Sequence, residues 1–357
     1  MKDRIYVCHT FYHVYVTLLK ELALPKEKQG CATLVLSKMS NNFAGLKERI
    51  EKTGFFEAVF EYDEKSEEFF PELAKYKTDK GNVFLNMWSR IRYTSEFAKL
   101  QASYVPVDFR QYKDIYVYCD SDPVGVYLNK NRIRYHAVED GLNTIVHSDD
   151  AHFANRGHFK MKAFFSKVLN LIVIQNGYGK YCIDMEVNDI SAIDIPCPYY
   201  VEVSRQDLVD RLTKEDKELL LQIFVRDIDG LQQRMEECKQ YKKTVLLLTE
   251  PLCSLDVREQ IFRDLIEEYG KDAQIFIKPH PRDELDYAVL FAEYPQFDPA
   301  MPMEILNFFE NFKFDKAISV FTEMKAVQFA KEITRLGPDF MDKYEAPEIH
   351  RQNERIK

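Results

Sequence analysis

The sequence predicts an α/β protein of two Rossmann-like domains facing each other across a cleft. Short apolar runs alternate with helical patterns in both halves, which implies parallel sheets joined by crossover helices. A length of 357 residues suggests two domains rather than one. A break at Ile193, Pro196, Cys197 and Pro198, followed by charged helical sequence over 204–241, separates the two series. The expected boundaries are a first domain at 1–200, connecting helices at 201–240, a second domain at 241–335 and a tail at 336–357.

Residues 5–8 form a first strand, and 9–12 a tight turn into a helix ending near Leu24. A strand at 31–36, a helix at 41–52 and a strand at 55–60 follow. Residues 83–102 read as a long helix carrying the only tryptophan, Trp88. A strand at 114–118, a short helix at 123–129 and a strand at 134–138 lead to Glu139, Asp140 and Gly141. From about His152 to Ile174 a basic amphipathic helix is expected, with Lys160, Lys162 and Lys167 among Phe159, Phe164, Phe165 and Leu169. In the second series, strands are expected at 244–248, 274–277 and 316–320, and helices at 256–269, 302–309 and 323–331.

With 46% hydrophobic residues the chain can bury a sizeable core. Lys+Arg is 49 against Asp+Glu 58, a net charge of −9, which argues against a nucleic-acid partner. Any phosphate site must then be a local positive pocket. Seven cysteines lie scattered without a C-x-x-C pair, which fits reduced thiols better than disulfides or structural zinc. Residues 1–4 run straight into a strand, and no apolar run approaches a membrane span. A soluble cytoplasmic protein is expected, at most peripheral at the inner face of the plasma membrane.

The stretch from Lys278 to Arg282, K-P-H-P-R, follows an apolar strand. Pro279 and Pro281 each fix their own φ and keep the preceding residue out of the helical region, so His280 is held extended at a strand end. A rigid histidine beside Lys278 there suits an anionic ligand such as a phosphate; a plain surface turn is the alternative. Glu139 and Asp140 are presented by a turn that Gly141 permits, or form an ordinary acidic turn. The loop from Thr249, Glu250 and Pro251 to Asp256 enters a helix, where Asp256 and Ser254 compete as N-cap. Ser319, Val320, Phe321, Thr322 and Glu323 read as a strand running directly into a helix. Their hydroxyls and amides suit a phosphate, or Thr322 is a simple cap. Glu304, in the first turn after Pro302, favours the helix dipole or accepts both hydroxyls of a ribose.

Taken in order, these pieces resemble the bacterial sialyltransferases of glycosyltransferase family 52, the lipooligosaccharide and capsule enzymes with the GT-B fold. The matching residues are E-D-G at 139–141, T-E-P…D at 249–256, K-P-H-P at 278–281, P-M-E at 302–304 and S-V-F-T at 319–322. Val320 and Phe321 separate hydroxyls that are often adjacent in relatives, which leaves open whether Ser319 or Thr322 meets the phosphate. The resemblance implies inverting transfer of sialic acid from CMP-sialic acid to a galactose-ending glycan, without metal or any cofactor beyond the donor. It implies Asp256 as base, with Asp140 as second choice, and His280 at the leaving phosphate. Nucleotide contacts fall to Lys278, Pro281, Glu304, Ser319, Phe321 and Thr322, and acceptor contacts to His9, Thr10, Glu139 and Gly141. Its partners are a CMP-sugar and a glycan acceptor, lipid-linked or free; a homodimer is compatible with the sequence.

Two other readings compete. Asp120, Ser121 and Asp122 imitate the D-x-D motif by which GT-A transferases hold Mn²⁺ or Mg²⁺, though a second Rossmann-like half is then unexplained. A non-catalytic glycan- or nucleotide-binding protein on a decayed transferase is the other. His9 and His13, four apart, lack a third zinc ligand nearby and read as core or cleft-lining histidines. The basic helix around 160–167 suits an anionic membrane, a dimer contact or a solvated face, the last two being the simpler.

Overall fold

The computed structural model describes residues 1–40, 42–43, 45–141, 150–155, 157–193, 195–238, 240–309 and 312–350. Contacts divide the chain into two compact units, Met1–Thr213 and Lys214–Lys357.

The first unit is built on seven strands: β1 (Lys2–Cys8), β2 (Ala32–Ser37), β3 (Ala58–Tyr62), β4 (Tyr112–Tyr118), β5 (Tyr135–Val138), β6 (Cys182–Val187) and β7 (Tyr200–Glu202). They form one sheet in the order β3-β2-β1-β4-β5-β6-β7, with every pairing parallel. β2, Ala-Thr-Leu-Val-Leu-Ser, is buried along its whole length, as a strand covered on both faces must be. The crossovers include α1 (Phe11–Leu22), α2 (Leu46–Thr53), α3 (Val83–Gln101), α4 (Pro123–Lys130) and α5 (Phe159–Lys167), and α6 (Arg205–Asp210) follows the last strand. The strand order reverses between β1 and β4, the point where such sheets bind ligands beyond their carboxyl ends.

Two expectations change here. The long basic helix is α5 alone: Gly157 and His158 both hold positive φ (76° and 59°), and Asn170 does so again at 53°, so the helix cannot run through. The break at 193–198 does not end the first sheet, because Tyr200–Glu202 pairs with β6 beyond it and the units part at Thr213.

The second unit carries β8 (Thr244–Leu248), β9 (Gln274–Lys278), β10 (Phe314–Ser319) and β11 (Ala330–Arg335), parallel in the order β11-β10-β8-β9. Its helices include α7 (Lys214–Phe224), α8 (Ile228–Cys238) and α9 (Leu255–Tyr269). Leu247, Ile277 and Ile318 of the sheet pack with Ile261, Phe262 and Leu265 of α9 in one buried cluster. The order again reverses, between β8 and β10.

The helix expected at 323–331 does not form. Phe314 N donates to Phe329 O at 2.8 Å, and the chain goes on as β11 in register with β10, Ala317 opposite Ile333. The helix expected at 302–309 is a tighter 3₁₀ helix, Met303–Phe308. Among the described residues, no helix is long and apolar enough to cross a membrane.

Candidate active site

Each unit gathers polar side chains at the carboxyl edge of its sheet. In the second unit three strand-end loops meet. The hydroxyl of Thr249, just past β8, accepts the His280 N–H at 2.9 Å and donates to Asp283 at 3.0 Å. Asp283 has no exposed side-chain surface; it pairs with the guanidinium of Arg258 on α9 and accepts from Tyr287 at 2.8 Å. Arg258 also donates to the carbonyls of Leu252 and Cys253 at 2.6 and 3.0 Å, which ties the loop before α9 to the loop after β9. Removing the hydroxyl while keeping its shape, Thr249→Val, is expected to cost about 1–3 kcal/mol, because a buried amide and a buried carboxylate lose a partner. Urea unfolding of the full chain checks this.

His280 takes its tautomer from the backbone. Its Nδ1 accepts the N–H of Arg282 at 3.1 Å, so in the neutral ring the proton lies on Nε2. Burial, with Arg282 and Lys278 nearby, lowers its pKa to about 4. The ring is therefore a neutral Nε2–H donor before any anion arrives.

Lys278 departs from expectation. It is buried, its ammonium donates to the carbonyls of Pro279 and Pro299 at 2.8 and 3.2 Å, and burial lowers its pKa to about 8 against the pull of Asp298 and Glu304. Its charge reaches the site through the field it shares with Glu304 rather than through an exposed ammonium. Glu304 is half-buried, and burial raises its pKa.

The phosphate cradle expected at Ser319 to Thr322 is corrected as well. No helix follows β10, and the amides of Val320, Phe321 and Thr322 donate to the carboxylate of Glu250 at 2.8–3.0 Å. Glu250 bridges β8 and β10 at the reversal point and fills the nest where an anion would lie. The Ser319 hydroxyl donates to the Thr322 carbonyl at 2.9 Å, so neither it nor the three amides stands open. Asp256 lies exposed in the first turn of α9, with Ser254 as N-cap residue. Pro281 is exposed beside His280.

In the first unit the acidic turn splits into two roles. Glu139 is buried and accepts the Asn188 N–H at 2.6 Å, while Asp140 keeps 43% of its side chain exposed. Gly141 turns the chain with φ +120° against the ring of Tyr12. Behind Asp140 stands His13, wholly buried and stacked on Tyr118, with Nε2 hydrogen-bonded to the carboxylate. The Nδ1 of His13 accepts the His9 N–H at 3.1 Å, the same device that orients His280, so His13 presents Nε2–H to Asp140. Burial alone would raise the Asp140 pKa, but His13 and Cys119 hold it below the usual carboxylate value.

Thr10 caps α1 by accepting the His13 N–H at 3.1 Å, and has no further role visible in the fold. His9 is buried against Glu64 at 2.7 Å and Asp122 at 3.5 Å. Burial opposes its charge, yet those carboxylates raise its pKa to about 9. Asp120 of the D-x-D triplet points inward and accepts from Asn176 N, Gly177 N and Tyr135 OH, so the pair Asp120 and Asp122 cannot clamp one metal together.

The fold also supplies the third ligand that His9 and His13 lack in sequence. His9, Cys119 and Asp122 form one group and His13, Cys119 and Asp140 another, each with ligand atoms within 4.8 Å of one another. At the second group both ring nitrogens of His13 are engaged, so a cation there would have to displace one of those hydrogen bonds. Cys119, Glu64, Arg258 and Asp283 carried no signal in the sequence; they lie at strand ends, in loops and, for Arg258, on α9, and only the fold brings them to their partners.

Two parallel α/β units with polar strand ends define a protein of two Rossmann-like domains. The chain belongs to glycosyltransferase family 52, whose family model matches residues 62–336. It is 28% identical over 152 residues to an uncharacterized protein of Haemophilus influenzae, covering 40% of this chain and 47% of that one; the chain thus spans about half the length of the curated relative it matches. In fold it is similar to an α/β-galactoside α-2,3-sialyltransferase of Photobacterium phosphoreum (TM-score 0.54, 10% identity, 93% of this chain and 90% of that one). It is also similar to a 2,6-sialyltransferase of a Photobacterium species, solved with CMP and lactose (TM-score 0.55, 11% identity, 93% and 71%).

Proposed function

We propose that this chain is an inverting, metal-independent sialyltransferase that moves sialic acid from CMP-sialic acid to a galactose-terminated surface glycan, such as lipooligosaccharide or capsule. The observation that carries the reading is His280: a backbone-fixed Nε2–H donor at the carboxyl edge of β9, in a chain of family 52. The acceptor hydroxyl attacks the anomeric carbon and yields its proton to a carboxylate, Asp256 by family likeness. The bond to the phosphate oxygen breaks, and its electron pair stays on departing CMP. His280 donates its Nε2–H to the phosphate oxygen and stabilises the charge that develops there, keeping its proton.

CMP release from CMP-sialic acid with lactose as acceptor, in excess EDTA, tests the proposal. Full activity is expected. Turnover of a UDP- or GDP-sugar instead, or activity abolished by EDTA and restored by Mn²⁺, would overturn it.

Glu304 accepts the ribose hydroxyls in this reading. Glu304→Ala is therefore expected to weaken CMP binding by about 1.5–3 kcal/mol, the range for hydrogen bonds to a charged group. Calorimetric titration of CMP into both proteins is the check, and equal affinities would leave Glu304 a helix-start carboxylate.

A further inference from the structure

β1 and β4 lie side by side at the reversal point of the first sheet, and their carboxyl ends bring three unlike donors together. His9 follows β1, and Cys119 and Asp122 follow β4. Cys119 turns the chain with φ 55°, and its carbonyl accepts the Asp122 N–H at 2.9 Å, so thiol and carboxylate belong to one tight turn. A ring nitrogen of His9, the Cys119 sulfur and an Asp122 oxygen lie within 4.8 Å of one another. Around a tetrahedral zinc, with bonds of about 2.0–2.3 Å, such atoms stand about 3.3–3.8 Å apart. The Asp122 side chain, 25% exposed, has the freedom to close that gap.

The histidine is held as metal-binding histidines commonly are, by a carboxylate on its ring. His9 Nε2 is hydrogen-bonded to Glu64 at 2.7 Å, and the wholly buried Glu64 side chain is itself fixed by Ser37 Oγ at 2.6 Å and Val124 N at 2.7 Å. The surroundings are anionic: Glu64, Asp120 and Asp140 press on the Asp122 charge, and His9 opposes them. A divalent cation answers that excess of negative charge better than one imidazolium does. The donor set chooses the ion. A thiolate and an imidazole beside one carboxylate suit Zn²⁺, whereas Mg²⁺ and Ca²⁺ take oxygen ligands. Cys119 and Asp122 are both partly exposed, which gives the ion a way in from solvent.

We propose that His9, Cys119 and Asp122 bind one Zn²⁺ ion, with water in the fourth position. Binding exchanges protons for the cation: the His9 imidazolium and the Cys119 thiol each release one, and Zn²⁺ takes over the charge balance with Glu64 and Asp122. Asp120 takes no part, since it points inward to Asn176, Gly177 and Tyr135. His13 and Asp140 keep the hydrogen bond they share. The inference is independent of the donor and the reaction.

Full-length protein, stripped with EDTA, desalted and kept reduced with a phosphine, is titrated with Co²⁺ as a spectroscopic stand-in and then with Zn²⁺. A single equivalent of Co²⁺ should give a thiolate-to-cobalt charge-transfer band and the strong visible bands of a tetrahedral ion, both erased by Zn²⁺. Calorimetry measures the Zn²⁺ affinity. Cys119→Ser and Asp122→Asn should each weaken it at least about 100-fold, more than the roughly 10–100-fold lost with a residue that only orients a ligand. Zn²⁺ should raise the thermal unfolding midpoint of the parent chain and not of either variant, while the metal-free midpoints stay alike. Absence of saturable binding would overturn the proposal. So would a charge-transfer band that survives Cys119→Ser, which would place the metal on another cysteine, or an affinity untouched by Asp122→Asn.

Discussion

His280→Ala is expected to lower kcat by about 10²–10³-fold, the usual loss when one preorganised transition-state donor is removed, while leaving the fold intact. The side chain contributes little to holding the loop. Its position is set by the Thr249 hydroxyl on its own N–H and by two flanking prolines, all of which survive the substitution. What is lost is the Nε2–H that the Arg282 amide enforces. In the proposed reaction that donor acts on charge that develops as CMP departs, so kcat and kcat/KM should fall together while CMP affinity changes little. Steady-state rates with CMP-sialic acid decide the matter, and near-normal turnover would remove His280 from the mechanism.

The same ring has a pH signature. Its folded pKa of about 4 lies below the ordinary 6.5, so between those values the unfolded chain binds the extra proton. Folding stability contributed by this group is therefore present above about 6.5 and is lost as pH falls toward 4. His280→Ala removes that dependence.

The fold was legible wherever apolar periodicity and local chemistry agreed. β1, β2, β4, α1, α3 and α9 lie within a few residues of their expected positions because each is bounded by a cap or turn that the sequence shows, such as Thr10 and Asn82. The helix at 323–331 failed for a physical reason. Glu323, Met324, Lys325, Ala326 and Gln328 are good helix formers, but β10 needs a neighbour, and Ile333 and Thr334 supply the β-branched side chains that pair with it. Propensity gave way to sheet completion. The error carried into the site, since without that helix there is no helix N-terminus at 322, and Glu250 satisfies the amides instead.

The site was legible where a covalent constraint marks it, as the prolines mark His280. It was not where the partner lies across the sheet. The link from Arg258 to Asp283 and the bond from His13 to Asp140 span 25 and 127 residues, and nothing local in sequence announces either. His13 was visible only as a companion of His9. The fold instead gives the two histidines different carboxylates, Glu64 and Asp140.

Those carboxylate contacts separate the two candidate bases. Asp140 already accepts the Nε2–H of His13, and His13 and Cys119 hold its pKa below the usual value, so it is a poor proton acceptor and a well-oriented hydrogen-bonding group. Asp256 belongs to the same unit as His280, on the first turn of α9, whose Arg258 is locked to the loop that carries His280. A base must come within about 2.6–3.2 Å of the acceptor hydroxyl, and a carboxylate on the same rigid frame as the leaving-group donor is preorganised for that. Asp256→Asn is therefore expected to lose most transfer activity, on the order of 10²–10⁴-fold for a general base, while still binding CMP. Asp140→Asn should chiefly raise the acceptor KM with kcat nearly unchanged, because an acceptor contact supplies binding that is uniform between ground and transition states. Kinetics with varied lactose at saturating CMP-sialic acid distinguish the two. A collapse of kcat in Asp140→Asn beside a mild Asp256→Asn would reverse the roles and make the pair of His13 and Asp140 the proton acceptor.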